Sequence, residues 1–210
     1  VNENIVGILS AGSSIEMPWQ HCLKAILHGY LGGEAGAGAI LDILTGKINP
    51  SGRLAEAYPL RYEDTPAFRY YPASERTSEY REGPFIGYRY YDTSLVRFQY
   101  PFGYGLSYTD FEQKMGDVTV ADGKVSFDVT VTNNGTAAGK DVVEVYYNPP
   151  YTNGGIEKAS ANLIDFAKTD VLQPGESQTI NVSFSEEDMA SYDTYGNGCY
   201  VLAVSYTHLR

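Results

Sequence analysis

Cysteine is scarce in this sequence: Cys22 and Cys199 are the only two, and they stand far apart. That excludes a disulfide framework and a cysteine-based zinc site, and each is expected to be a small buried hydrophobe. Histidine is nearly as rare. His21, His28 and His208 are too scattered to form a ligand set, so no metal is expected. No Gly-x-Ser-x-Gly occurs, which leaves a serine triad without support. Nor is there a Gly-Lys-Ser/Thr phosphate loop, or a G-x-G-x-x-G between strand and helix, so no cofactor is expected. No apolar run approaches the roughly 20 residues that span a bilayer, and no membrane contact is expected. Basic charge is also short. Fifteen Lys and Arg face 26 Asp and Glu, a net charge of −11 that repels phosphate backbones and argues against nucleic acid as a partner. The deficit is uneven: residues 1–107 carry 9 basic and 11 acidic groups, residues 108–210 carry 6 and 15.

Tyrosine, by contrast, is abundant. There are 19, many of them clustered between Tyr58 and Tyr108, and this aromatic segment separates two regions of different periodicity. In the first region, Ile5–Leu9 is a short apolar run that reads as a buried strand, and Lys24–Tyr30 is a second candidate. Glu34 to Thr45 reads as a helix, with Ile40, Leu41, Ile43 and Leu44 on its apolar face, Glu34 at the positive end and Gly46 as its terminator. Asn49-Pro50-Ser51-Gly52 is a turn, and Leu54–Ala57 a further short strand. Together these suggest part of an α/β layer. In the second region Lys124–Thr132 alternates apolar and polar residues, Asn133-Asn134-Gly135 turns, Val142–Tyr147 is a strand, Gln173–Glu176 turns, and Thr179–Phe184 alternates again. Short strands between Gly, Pro and Asn turns predict an antiparallel sandwich.

Several blocks carry a family resemblance. His28-Gly29-Tyr30-Leu31-Gly32-Gly33-Glu34-Ala35-Gly36-Ala37-Gly38 and Asp42-Ile43-Leu44-Thr45-Gly46-Lys47-Ile48-Asn49-Pro50-Ser51-Gly52-Arg53-Leu54 resemble the last strand–helix–strand unit of the α/β sandwich domain of glycoside hydrolase family 3. Tyr80 to Asp92 and Tyr100 to Thr109 are similar to the blocks that follow it. Val131–Gly135, Ala138–Val143 and Leu172–Ser177 resemble the fibronectin type III-like domain that closes many such chains. The resemblance implies an α/β fragment followed by an all-β, immunoglobulin-like (fibronectin type III-like) sandwich. Residues 1–107 would be the end of the α/β domain with an aromatic-rich linker, and residues 108–210 the fibronectin type III-like domain.

For function, the resemblance implies the C-terminal portion of a retaining, exo-acting β-glycosidase of the β-glucosidase type. Two carboxyl groups about 5–5.5 Å apart would do that chemistry. In the family these lie on a preceding barrel domain and an earlier part of the sandwich domain, so no catalytic residue is expected in this chain, and the partners are a missing N-terminal barrel and a glycoside or oligosaccharide substrate. The acidic clusters Glu63/Asp64, Glu79/Glu82 and Glu186-Glu187-Asp188 lack an obvious shielded pocket, and the last reads as a solvated turn. Tyr80, Arg81 and Glu82 are the candidates for facing the substrate cleft. The Tyr88–Tyr91 and Tyr100–Tyr108 aromatics have two physical readings: stacking against sugar C–H faces, or gluing two domains together, which their position favours. The alternative function is a non-catalytic carbohydrate-binding or adhesion module. It is disfavoured because residues 1–59 are too small a piece of an α/β layer to form a core alone. Val204–Leu209 looks like a translated sequencing adapter, so residues 204–210 are expected to be non-native. The chain begins at Val1 rather than Met, its start is read as internal to a longer protein, and both cytoplasmic and secreted localisation stay open.

Overall fold

A computed structural model describes residues 2–196 and 198–202. The expectation that residues 204–210 are non-native lies outside the described residues. Val6–Leu9 (β1) and Ala25–His28 (β2) pair in parallel, Val6 opposite Ala25 and Leu9 opposite His28. A parallel pair needs a long crossover, and residues 10–24 supply it. The expected helix is present as Gly36–Leu44 (α1), starting two residues later and ending one residue earlier than the sequence suggested. Gly46, at φ +74°, occupies the C′ position behind Thr45, as its lack of Cβ allows. Gly29 lets α1 close on β2, since a Cβ there would come within 3.3 Å of Ile40 Cδ1. The apolar side of α1 is only partly covered: Ile40 and Ile43 are half-buried, but Leu41 and Leu44 are exposed, as are Ile5, Val6 and Ile8 around β1.

The strand expected at Leu54–Ala57 is instead Tyr58–Pro59 (β3), antiparallel to a strand of the aromatic segment whose range is Phe98–Tyr100 (β4). Leu54 does exchange backbone hydrogen bonds, with Tyr104 and Gly103, but the opposite chain turns through Pro101 and Gly103 (φ +76°), so the ladder breaks between the two contacts. Leu9, Met17 and Tyr58 form a small core here, joined by Ile15, Ile26, Leu54 and Tyr100. The aromatic block Tyr88–Ser94 folds as a short helix (α2) bounded by Gly87 at φ +56° and Leu95 at φ +53°.

In the second half, Phe111–Met115 (β5), Thr119–Ala121 (β6) and Lys124–Asn133 (β7) form one antiparallel sheet with Ser177–Ser185 (β10). Val142–Tyr147 (β8) pairs antiparallel with Asn162–Lys168 (β9) in a second sheet. A short pairing of Ser191–Tyr192 (β11) with Tyr200–Val201 (β12) follows. The alternation read from the sequence is the burial pattern. Val125, Phe127, Val129 and Val131 of β7 point one way, beside Val182 and Phe184 of β10, and meet Val143 and Val145 of β8 in one core. Each such buried side chain contributes roughly 1.5–3 kcal/mol. The residue ending β7 is Asn133, fully buried yet satisfied. Its Oδ1 accepts from Thr109 Oγ (2.7 Å) and Gly135 N (3.1 Å), and its Nδ2 donates to the carbonyls of Ala137 (2.8 Å) and Leu172 (2.9 Å).

The cysteines are not buried hydrophobes: Cys22 and Cys199 are both free and exposed. Cys22 ends a single 3-10 turn and Cys199 precedes a two-stranded hairpin, short elements that leave both side chains exposed among the described residues. Among the described residues no helix is long and apolar enough to cross a membrane. The architecture is a set of small mixed sheets with two short α-helices among the described residues.

Candidate functional site

Tyr80, Arg81 and Glu82 lie in the irregular segment between Thr65 and Gly87. Tyr80 is 89% exposed. The Arg81 guanidinium pairs with the Glu79 carboxylate and sits 4.8 Å from the centroid of the Tyr70 ring. Glu82 is half-buried, and its carbonyl accepts from Phe85 N at 3.1 Å. The structure therefore joins Arg81 to Glu79 and Tyr70. The other acidic clusters are engaged locally. Asp64 accepts from Arg61 at 2.7 Å, a contact that holds its carboxyl below the usual range. Glu186–Met189 is a 3-10 turn with a reciprocal cap, Ser185 Oγ accepting from Glu187 N and Asp188 accepting from Ser185 N. Among the described residues no group of three His, Cys, Asp or Glu is placed to hold a metal ion.

The aromatic segment fastens the two halves. Tyr88 on α2 accepts a hydrogen bond from Leu163 N of β9 at 2.7 Å, and its ring lies 4.9 Å from Phe102 and 5.8 Å edge-on from Tyr146 of β8. Thr93 Oγ accepts from Ser160 N at 2.9 Å. Tyr108 donates its hydroxyl to the Ile43 carbonyl of α1 at 2.9 Å. Asn49 spans the join, donating to the Ala138 carbonyl (3.0 Å) and accepting from Ser107 Oγ (3.0 Å) and Tyr108 N (2.8 Å). Tyr91 is buried against Phe98, and burial followed by the neighbouring Tyr90 pushes its hydroxyl up to about 12.

A second buried aromatic centre sits under β2. His28 Nε2 is 3.0 Å from the Ala11 carbonyl, so that nitrogen carries the proton. Nδ1 is then the acceptor, and the buried Tyr58 hydroxyl donates to it. Tyr30 stacks on the imidazole at 3.8 Å. Burial, ahead of the charges of Tyr30 and Glu56, raises the Tyr58 hydroxyl well above its ordinary value.

Where the halves meet, a cavity of about 340 Å³ opens between α2, the turn at Pro101–Tyr104 and the outward face of β8. Aromatic rings wall it, and Asp92, Glu144 and Asn148 contribute polar groups. Sequence reading did not find these three. Glu144 and Asn148 carried one signal, their places on the polar face of an alternating strand run, and Asp92 only its place at the end of the Tyr80–Asp92 block.

The Glycosyl hydrolase family 3 C-terminal domain matches residues 1–108, and the Fibronectin type III-like domain matches residues 141–208. Thermostable beta-glucosidase B of Acetivibrio thermocellus is 40% identical over 200 residues, which cover 92% of this chain and 26% of the relative. An exo-alpha-(1->6)-L-arabinopyranosidase of Bifidobacterium longum is 37% identical over 209 residues, covering 98% of this chain and 27% of the relative. Among solved structures, a beta-glucosidase from Paenibacillus barengoltzii superposes with a TM-score of 0.89 at 32% identity, over 99% of this chain and 25% of that one. The chain thus spans about a quarter of the length of the relatives it matches. With the family's C-terminal domain matching more than half of its residues, the chain belongs to glycosyl hydrolase family 3.

Proposed function

We propose that this chain is the C-terminal portion of a retaining, exo-acting β-glycosidase that hydrolyses O-glycosidic bonds in carbohydrate catabolism. The observation that carries the reading is the alignment of nearly the whole chain with a quarter of a beta-glucosidase, through a domain described as C-terminal. Residues 1–107 are the end of an α/β domain with its aromatic linker, and residues 108–210 an immunoglobulin-like sandwich of fibronectin type III type. An N-terminal barrel domain is the structural partner, and it supplies the nucleophile; a glycoside is the substrate. Tyr80, Arg81 and Glu82 border the cleft, Arg81 being held in position by Glu79 and Tyr70. Asp64, Glu79 and Asp188, from the acidic clusters of the sequence, are each paired locally, which supports placing the catalytic carboxylates outside this chain.

The test is release of nitrophenol from aryl β-glucoside and β-xyloside. The 210-residue chain alone should give none, and the same chain joined to its upstream coding sequence should turn over with retention of anomeric configuration. Turnover by the chain alone that disappears on mutating one of its carboxylates overturns the reading. So does inversion by the longer protein.

A further inference from the structure

We propose that the cavity between α2 and β8 is a binding site for a single pyranose sugar. Alternation along β8 buries Val143 and Val145 and turns Glu144 and Tyr146 outward toward α2. The Tyr146 hydroxyl donates to Glu144 Oε2 at 2.7 Å and fixes the carboxylate. Gly103 makes room for it, because a Cβ there would collide with that same oxygen. Asp92, four residues after Tyr88 on α2, shares its helix face. Partial burial raises the Asp92 carboxyl above the ordinary range. Asn148 donates through Nδ2 to the Ser160 carbonyl at 2.5 Å, which leaves its Oδ1 as an acceptor, buried and without a hydrogen-bond partner. An unmet buried acceptor is unfavourable, and because Asn148 lines the cavity, a small shift of its amide lets a ligand donate to Oδ1 and removes that penalty.

The three polar groups therefore all offer acceptors, Asp92 from α2 and Glu144 and Asn148 from along and just after β8. Tyr88, Phe102 and Tyr146 supply ring surface between them. A ligand that fits must bring several donors spread around its perimeter and present apolar C–H faces to the rings. A pyranose does both. An anion is repelled by Glu144, and a purely apolar ligand leaves Asn148 Oδ1 unmet. An alkylammonium matches the charge but concentrates its donors at one point. The volume, about 340 Å³, is at the low end of the roughly 300–1,000 Å³ of ligand pockets, which suits one ring rather than an oligosaccharide. The proposal goes beyond the glycosidase reading and stands whether or not that reading holds.

Saturation-transfer NMR on the 210-residue chain tests it, with D-glucose and D-xylose as sugar probes and choline as the cationic control. Sugar C–H resonances should receive saturation, with millimolar affinity. Ala161→Phe, which fills the cavity from the β9 side, should abolish the transfer, and Asn148→Leu should weaken binding at least tenfold. Melting curves on both variants establish that they fold; should Asn148→Leu fail to, Ala161→Phe decides. Three results overturn the proposal: no transfer to either sugar, transfer undiminished in Ala161→Phe, or binding of choline without binding of sugar.

Discussion

Arg53 joins the two halves of the molecule through Asp141: its Nη2 donates to Asp141 Oδ1 while its Nη1 donates to the Gly105 carbonyl. The Asp141 side chain is only 5% exposed and the Arg53 side chain 23%. Gln113 Nε2 also donates to Asp141, at 2.8 Å. Removing the guanidinium leaves a buried carboxylate with one remaining side-chain donor. Arg53→Ala should therefore destabilise the chain by about 3 kcal/mol, the lower end for breaking a buried pair. Urea denaturation checks this, and a double-mutant cycle with Asp141→Ala should show strong coupling.

Tyr88 fastens the halves in two separable ways, by its hydroxyl and by its ring. Tyr88→Phe removes the acceptor for Leu163 N–H and should cost about 1 kcal/mol. Tyr88→Ala also removes the ring packed on Phe102 and Tyr146, and about 3 kcal/mol is expected. Equal losses in the two variants, measured by thermal melting, would assign the whole contribution to the hydroxyl.

Asn133 holds the corner after β7 with all four of its side-chain hydrogen bonds made inside the protein. Asn133→Asp keeps the shape but turns donors into acceptors facing the Ala137 and Leu172 carbonyls. It should destabilise the chain by about 2 kcal/mol or more at neutral pH, roughly the cost of unmet buried groups. The loss should lessen in acid, where protonation of the introduced carboxyl restores one donor. Urea midpoints at two pH values measure both effects.

Alkaline pH should destabilise the fold through its buried tyrosines. Tyr91 is pushed up to about 12, and Tyr58 and Tyr146 shift in the same direction, each chiefly through burial. A hydroxyl whose folded pKa is raised binds its proton more tightly in the folded state. Its contribution is complete below the unfolded value of about 10 and is lost as pH rises through the folded value. The urea midpoint should fall steadily above about pH 10, in step with tyrosinate absorbance. Tyr91→Phe should make the fall shallower.

The sequence by itself determined the elements in which a local pattern coincides with burial. β7, β8 and β10 were readable because one face of each lies on a shared apolar core, so a period of two appears in the residue order. Gly46 marked the end of α1 because only its own backbone conformation was at stake. The motif blocks from His28 to Ser177 identified the family in the same way, as ordered stretches of chain. What tertiary structure decided involves partners distant in sequence. The strand near Leu54 moved to Tyr58 because its ladder depends on the turn at Pro101–Gly103, far along the chain. Cys22 and Cys199 are exposed, and what packs over a side chain is set by distant residues that no window around it contains. The cavity beside Glu144 exists only because α2, the Gly103 turn and β8 meet. Asp92 comes to it from α2 and Glu144 and Asn148 from the β8 run, and only packing brings the two elements together.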